Sequence, residues 1–231
     1  MIQELAMDTD RAARYAVAPY TSPFLAIYDL WVIRLSNSFA WRCAAETMLS
    51  LYDEHLGRRH LEVGPGSGWY LANTTAASEQ ITLMDLNPTP MEFTSRRLAD
   101  RDTTVDTVIG SVLEPVPASA GTQYDSIGMN FVLHCAPGGL DDKGIAFTHL
   151  GRILADDGVL FGSTILNRRP RTRFGRALSF AYRRIGAFNN DADDRAGLER
   201  ALRESFRHFQ IAEVGDVTLF RARRPRREVQ P

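Results

Sequence analysis

Apolar residues recur every three or four positions through "FLAIYDLWVIRLSN" and "FAWRCAAETMLSLYDEHL", between residues 24 and 56, which predicts helices, with Gly57 closing the second. From Arg59 the period changes. Short β-branched or apolar runs, "RHLEV", "QITLMDL", "TVDTVIGSV", "YDSIGMNFVLH" and "GVLFGSTIL", alternate with polar stretches of helical length such as "MEFTSRRLADR" and "AFTHLGRILADDG". Strands alternating with helices imply βαβ units, and their parallel sheet needs cover on both faces. The alternation breaks near the C-terminus. After a basic stretch, "NRRPRTRFGRALSFAYRRIGAF", and a polar helix, "DDRAGLERALRESFRHF", the run "RHFQIAEVGDVTLFRARR" reads as two strands turning at Gly215-Asp216, an antiparallel hairpin. Five runs and a hairpin make a seven-stranded α/β sheet. Residues 1–57 are then a helical cap and 58–231 the sheet domain, with a lid-like insertion near 167–190.

Composition limits this picture. With 231 residues, 44% hydrophobic and 24% charged, the chain fits one folded domain with additions and neither a disordered nor a membrane class. Cys43 and Cys135 are far apart and have no metal-ligand spacing, so no metal site is expected and a reducing compartment is. The first residues carry Glu4, Asp8 and Asp10 and no apolar secretory core, which makes the cytoplasm the expected location. Seven arginines between 168 and 184 could face phosphates, yet Asp191, Asp193 and Asp194 follow at once and the net charge is −1, so nucleic acid is disfavoured as a partner.

The chemistry starts at "HLEVGPGSGWYL". A glycine-rich turn from strand to helix lets a ligand approach the backbone and presents a helix N-terminus to it. A dinucleotide fingerprint would need glycine at position 69, where the chain has Trp69, and no Gly-Lys-Ser/Thr follows for a phosphate loop. Glu62, Gly64, Gly66 and Gly68 instead resemble the E/D-x-G-x-G-x-G signature of class I S-adenosylmethionine-dependent methyltransferases. Three later stretches agree in order. Asp85 ends "ITLMD", where an acidic residue takes a ribose diol, with Leu86 and Asn87 beside the adenosine; "VIGSVLEP" places Gly110, Ser111 and Val112 at the adenine, Ser111 standing where the family usually has an acid; and "YDSIGMNFVLHCAP" followed by "LGRILADDGVLFGSTIL" is similar to the fourth strand and the turn into the fifth.

This resemblance covers about residues 59–166 and implies a Rossmann-like, doubly wound sheet with S-adenosylmethionine as cofactor, released as S-adenosylhomocysteine. It also implies that Asn130, at the fourth strand's carboxyl end, faces the cofactor. "YDLWVIRLSNSFAWRC" is similar to the stretch preceding the loop in quinone-type C-methyltransferases, which carries over Tyr28 and Arg42 as cofactor contacts. With "GPGSGWYL" the aromatic N-terminal stretch also resembles bacterial indole C3-methyltransferases acting on tryptophan-containing cyclic dipeptides.

Methyl transfer from a sulfonium needs alignment, exclusion of water and, for an acidic proton, a base. His134, expected at the end of the fourth strand, is the candidate base, with Tyr20 and Asp29 as alternatives. Tyr15, Phe24 and Trp31, with Trp69 and Phe131 near the loop and strand end, suit a flat aromatic substrate. The expected activity is methylation of a small aromatic metabolite of bacterial specialised metabolism, with C3-methylation of an indole as the sharper form and O-methylation or quinone C-methylation as alternatives. A non-catalytic cofactor-binding partner and a nucleic-acid methyltransferase are the remaining readings, and a homodimer is left open.

Overall fold

The computed structural model describes residues 40–168, 170 and 172–227. Helix α1 (Ala45–His55) precedes β1 (Arg59–Val63), α2 (Trp69–Asn73), β2 (Gln80–Asp85), α3 (Pro88–Arg97), β3 (Thr104–Ile109) and β4 (Tyr124–Asn130). Then follow α4 (Leu140–Lys143), α5 (Ile145–Ile153), β5 (Leu154–Thr164), α6 (Arg173–Arg184), α7 (Arg195–Ser205), β6 (Phe206–Val214) and β7 (Val217–Pro225). The seven strands form one sheet in the order β3-β2-β1-β4-β5-β7-β6. Strands β1 to β5 pair in parallel and β7 runs against both β5 and β6. This is the doubly wound, Rossmann-like sheet with its closing hairpin.

Side chains alternate across a strand, and the alternation sorts the core into two layers. On β1, Leu61 and Val63 join Ile127, Met129 and Leu160 under α5 and α7. On the opposite face Ile81, Leu83, Val159 and Phe161 pack beneath Tyr52 of α1, Leu71 of α2 and Met91 of α3. The helices begin where the sequence supplies caps. Asn87 accepts from the Thr89 N–H with Pro88 in the first turn of α3, Thr172 accepts from Gly175 at the start of α6, and Asp194 accepts from Gly197 at the start of α7.

One sequence expectation shifts. The fourth strand stops at Asn130, because Phe131 takes a left-handed φ of 58° and donates its N–H to Ser163 O. Residues 132–136 then form a turn closed by the Cys135 and Ala136 N–H groups on Val132 O, so His134 lies beyond the strand end rather than on it. Within the basic stretch Arg173–Arg184 form α6, whose Arg183 pairs with Asp191 at 3.0 Å and whose Phe180 stands exposed. No helix among the described residues is long and apolar enough to cross a membrane.

Candidate active site

The sheet order turns back at β1, which has β2 on one side and β4 on the other. In an open α/β sheet the crevice at such a reversal, beyond the strands' carboxyl ends, is where ligands bind. A cleft of about 940 Å³, partly open to solvent, lies there. Gly64 and Gly66 enter it from the end of β1, Asp85 and Leu86 from β2, Gly110 to Leu113 from β3, and Asn130 to Val132 from β4; Cys135, Ala136 and Pro137 close one wall. Among the described residues lining the cleft Asp85 alone carries a charge.

Each strand end is shaped for close approach. Gly64 and Gly66 sit at φ 65° and 56°, and a Cβ on Gly64 would come within 2.6 Å of Val132 Cγ2, so the loop can lie against the turn after β4 only without a side chain. The Asp85 carboxylate accepts from the Asn87 N–H at 2.9 Å, and burial pushes it up to about 6, against the opposing pull of the Asn87 and Leu86 N–H groups. A carboxylate so incompletely compensated, with acceptor capacity to spare, matches the two donors of a ribose diol. After β3, Ser111 Oγ accepts from the Leu113 N–H at 3.1 Å and Val112 O bonds to His149 Nδ1 at 3.0 Å, leaving the Ser111 O–H as a donor. These residues fit the adenosine that the sequence implied.

Other expected residues stand elsewhere. Glu62 is not among the cleft-lining residues: its carboxylate is buried, bonded to Tyr52 and His60. Gly68 caps α2 against Thr94, Asn87 caps α3, and exposed Arg42 lies with its carbonyl against the Gly215 turn; none of the three lines the cleft. Trp69 is half-buried edge-on to Tyr70 at 5.3 Å, outside the cleft wall, whereas Phe131 belongs to it. Tyr15, Tyr20, Phe24, Tyr28, Asp29 and Trp31 lie outside the described residues. Met84, Val132 and Cys135 to Pro137 also line the cleft without having been expected there; the signal for the last three was the "CAP" immediately after His134.

His134 sits beside this wall with its ring 5.9 Å from Phe131 and 4.7 Å from Phe188. It is 4% exposed, and Nδ1 is buried with no hydrogen-bond partner among the described residues. Burial, reinforced by the Lys143 charge, holds its pKa down to about 3, so the ring is neutral at pH 7. Trp41, Phe188 and Leu178 with Phe131 and Tyr182 make a compact aromatic and aliphatic cluster on this side. No group of three or more metal-ligating side chains occurs among the described residues.

Known proteins share both the sequence and the architecture. Residues 61–160 match the family described as a methyltransferase domain. The chain is 39% identical to the demethylluteothin O-methyltransferase of Streptomyces thioluteus over 89% of each chain. It is 36% identical to the physcion biosynthesis cluster O-methyltransferase of Aspergillus chevalieri, over 91% of this chain and 95% of that one. The N-methyltransferase NodS of Bradyrhizobium japonicum WM9, solved in complex with S-adenosyl-L-homocysteine, superposes with a TM-score of 0.60 at 17% identity, over 87% of this chain and 95% of its own.

Proposed function

Because this chain belongs to the class I S-adenosylmethionine-dependent methyltransferases, we propose that it methylates a hydroxyl oxygen of a small aromatic metabolite of specialised metabolism. The observation that carries this is the similarity, over about nine tenths of the chain, to two proteins named as O-methyltransferases, one from a biosynthesis cluster. That similarity favours oxygen over carbon 3 of an indole, for which only the N-terminal aromatics and "GPGSGWYL" speak.

The bound cofactor supplies a methyl group made electrophilic by its sulfonium. In this reading Asp85 accepts from the ribose hydroxyls, Ser111 and Val112 hold the adenine, and the side-chain-free loop at Gly64 and Gly66 lets the methionine part lie along the backbone. Leu113, Val132 and Pro137 exclude water, and Phe131 supplies a flat face to an aromatic substrate. The acceptor proposed for the hydroxyl proton is His134, which stands behind Phe131 and outside the cleft lining. A weak base suffices: as the oxygen–methyl bond forms, the oxygen becomes positively charged and its proton strongly acidic, so removal runs with the transfer rather than ahead of it. Alignment by itself can supply about 7–11 kcal/mol of the barrier. Tyr20, Tyr28 and Asp29, with the aromatics Tyr15, Phe24 and Trp31, are proposed as the cap's contribution.

The test is incubation with methyl-labelled S-adenosylmethionine and a panel of phenols, quinols and indoles, reading product mass and methyl position together. Oxygen-methylated products are expected. Label appearing only on indole carbon 3 would overturn the oxygen assignment and restore the alternative.

A further inference from the structure

A continuous chain of buried hydrogen bonds runs under the cleft, and its direction follows from the groups in it. Ser126 Oγ accepts from the Gly57 N–H at 2.8 Å and meets His60 Nδ1 at 2.8 Å, while His60 Nε2 lies 2.9 Å from Glu62 Oε2. Tyr52 O–H donates to Glu62 Oε1 at 2.7 Å, Asn130 Nδ2 donates to the Tyr52 oxygen at 2.9 Å, and Ser163 O–H donates to Asn130 Oδ1 at 3.0 Å. All six side chains are buried. A carboxylate only accepts. The single O–H of Tyr52 is therefore spent on Glu62, so its oxygen must accept from Asn130. That demands the nitrogen end of the amide toward Tyr52 and the oxygen end toward Ser163. A flipped amide would set oxygen against oxygen at Tyr52, whose one proton is already committed to Glu62.

We propose that Glu62, Tyr52 and Ser163 are positioning residues which lock the Asn130 amide, and with it the Asn130-Phe131 turn of the cleft wall, in the orientation that accepts the cofactor. The acid that heads the glycine loop thus acts from inside the protein and touches no ligand. The inference rests on the cofactor reading of the cleft given above. Two further features belong to the same device. A Cβ on Gly128 would lie 2.4 Å from Glu62 Oε2, so β4 leaves out a side chain where the carboxylate needs room. Phe131, next to the locked residue, holds a left-handed φ of 58°, which persists only where surrounding contacts impose it. The ring of Tyr52 is itself fixed, stacked on Tyr70 at 5.5 Å and edge-on to Phe161 at 5.2 Å.

The experiment is calorimetry of S-adenosylhomocysteine binding to the full chain and to Glu62→Gln, Tyr52→Phe, Ser163→Ala, Asn130→Ala and Asp85→Ala, each with a melting curve. Glu62→Gln keeps the volume and loses the one-way polarity; it and Tyr52→Phe are expected to weaken binding at least about tenfold, since each leaves a buried polar group in the chain without its partner. Tyr52→Phe combined with Asn130→Ala should bind no more than about twofold worse than Asn130→Ala alone, because coupled residues are not additive. If Tyr52→Phe does not fold, Glu62→Gln and Ser163→Ala, acting on opposite sides of the Tyr52–Asn130 bond, carry the same expectation. A lowered melting temperature with unchanged affinity in these variants would overturn the inference and leave a merely structural network. Absence of binding by the unaltered chain, or indifference to Asp85→Ala, would instead overturn the cofactor reading on which it rests.

Discussion

Lys143 is the only lysine in a chain whose other basic residues, apart from histidines, are all arginine, and it is 0% exposed. Its Nζ lies 2.7 Å from Asp193 Oδ2 and donates to Ala136 O at 3.2 Å and Asn189 O at 3.1 Å. The ammonium therefore ties a cleft-lining turn to the segment that follows α6. Burial pushes Lys143 down and Asp193 up, each toward its neutral form, and each charge pulls the other back. At 2.7 Å, with an effective permittivity of about 20, their attraction is roughly 6 kcal/mol. Desolvation of two buried ions offsets most of that, so the pair as a unit contributes little, whereas removing one partner strands the other. Lys143→Met should then cost about 3–5 kcal/mol, or about 6–20 °C in melting temperature for a chain of this size. Urea unfolding of Lys143→Met, Asp193→Asn and the double variant measures this directly. A positive coupling of about 1–3 kcal/mol is expected, the double variant being more stable than the sum of the singles predicts. Lys143→Arg should also destabilise, by about 1–3 kcal/mol, because a guanidinium overfills a site packed around an ammonium. A loss below about 1 kcal/mol in Lys143→Met, or strict additivity in the cycle, would refute the buried-pair reasoning.

Asp85, raised to about 6 by burial, must be ionised to accept two hydroxyls, so affinity for S-adenosylhomocysteine should fall as pH drops below about 6 and hold above it; Asp85→Asn should bind weakly at every pH, and a wild-type affinity flat from pH 8 to 5 would contradict this. His134→Gln should lower kcat by about 10²–10⁴-fold with cofactor affinity unchanged, as expected for a proton acceptor. Because the folded-state pKa of His134 is depressed to about 3, below the unfolded value of about 6.5, its stability contribution is complete above pH 6.5 and is lost as pH falls toward 3. Wild-type stability should therefore lose roughly 3 kcal/mol to this group between pH 7 and pH 4.5, a loss absent in His134→Gln and measurable by urea unfolding at the two pH values. Gly128→Ala, which drives a methyl group against Glu62 Oε2, should cost about 1–3 kcal/mol of stability by overpacking and weaken cofactor binding, both read from melting curves with and without S-adenosylhomocysteine.

The sheet and the cleft at its carboxyl edge were legible in the sequence because both are written in local patterns. Alternating runs announced each strand from β1 to β5, and Gly215-Asp216 marked the hairpin. Residues that follow a strand directly, such as Gly64, Gly66, Asp85, Gly110 and Ser111, reach the cleft because a parallel sheet carries every strand's carboxyl end to one edge. Chain order alone delivers them there. Placements that the sequence did not foretell depend on direction at a single backbone step. "NFVLH" reads as continued strand, yet the left-handed step at Phe131 turns the chain and buries His134 between two phenylalanines. Glu62 carries the family's acidic position, but strand alternation sends its side chain to the face shared with Tyr52 and His60, ten and two residues away in sequence. What the sequence by itself determined was the fold class, a consequence of periodicity, and, through its resemblance to a known family, the cofactor. Tertiary structure alone decided which polar side chains point into the cleft and which are consumed beneath it, because hydrogen-bond partners such as Tyr52 and Asn130, 78 residues apart, are chosen by packing.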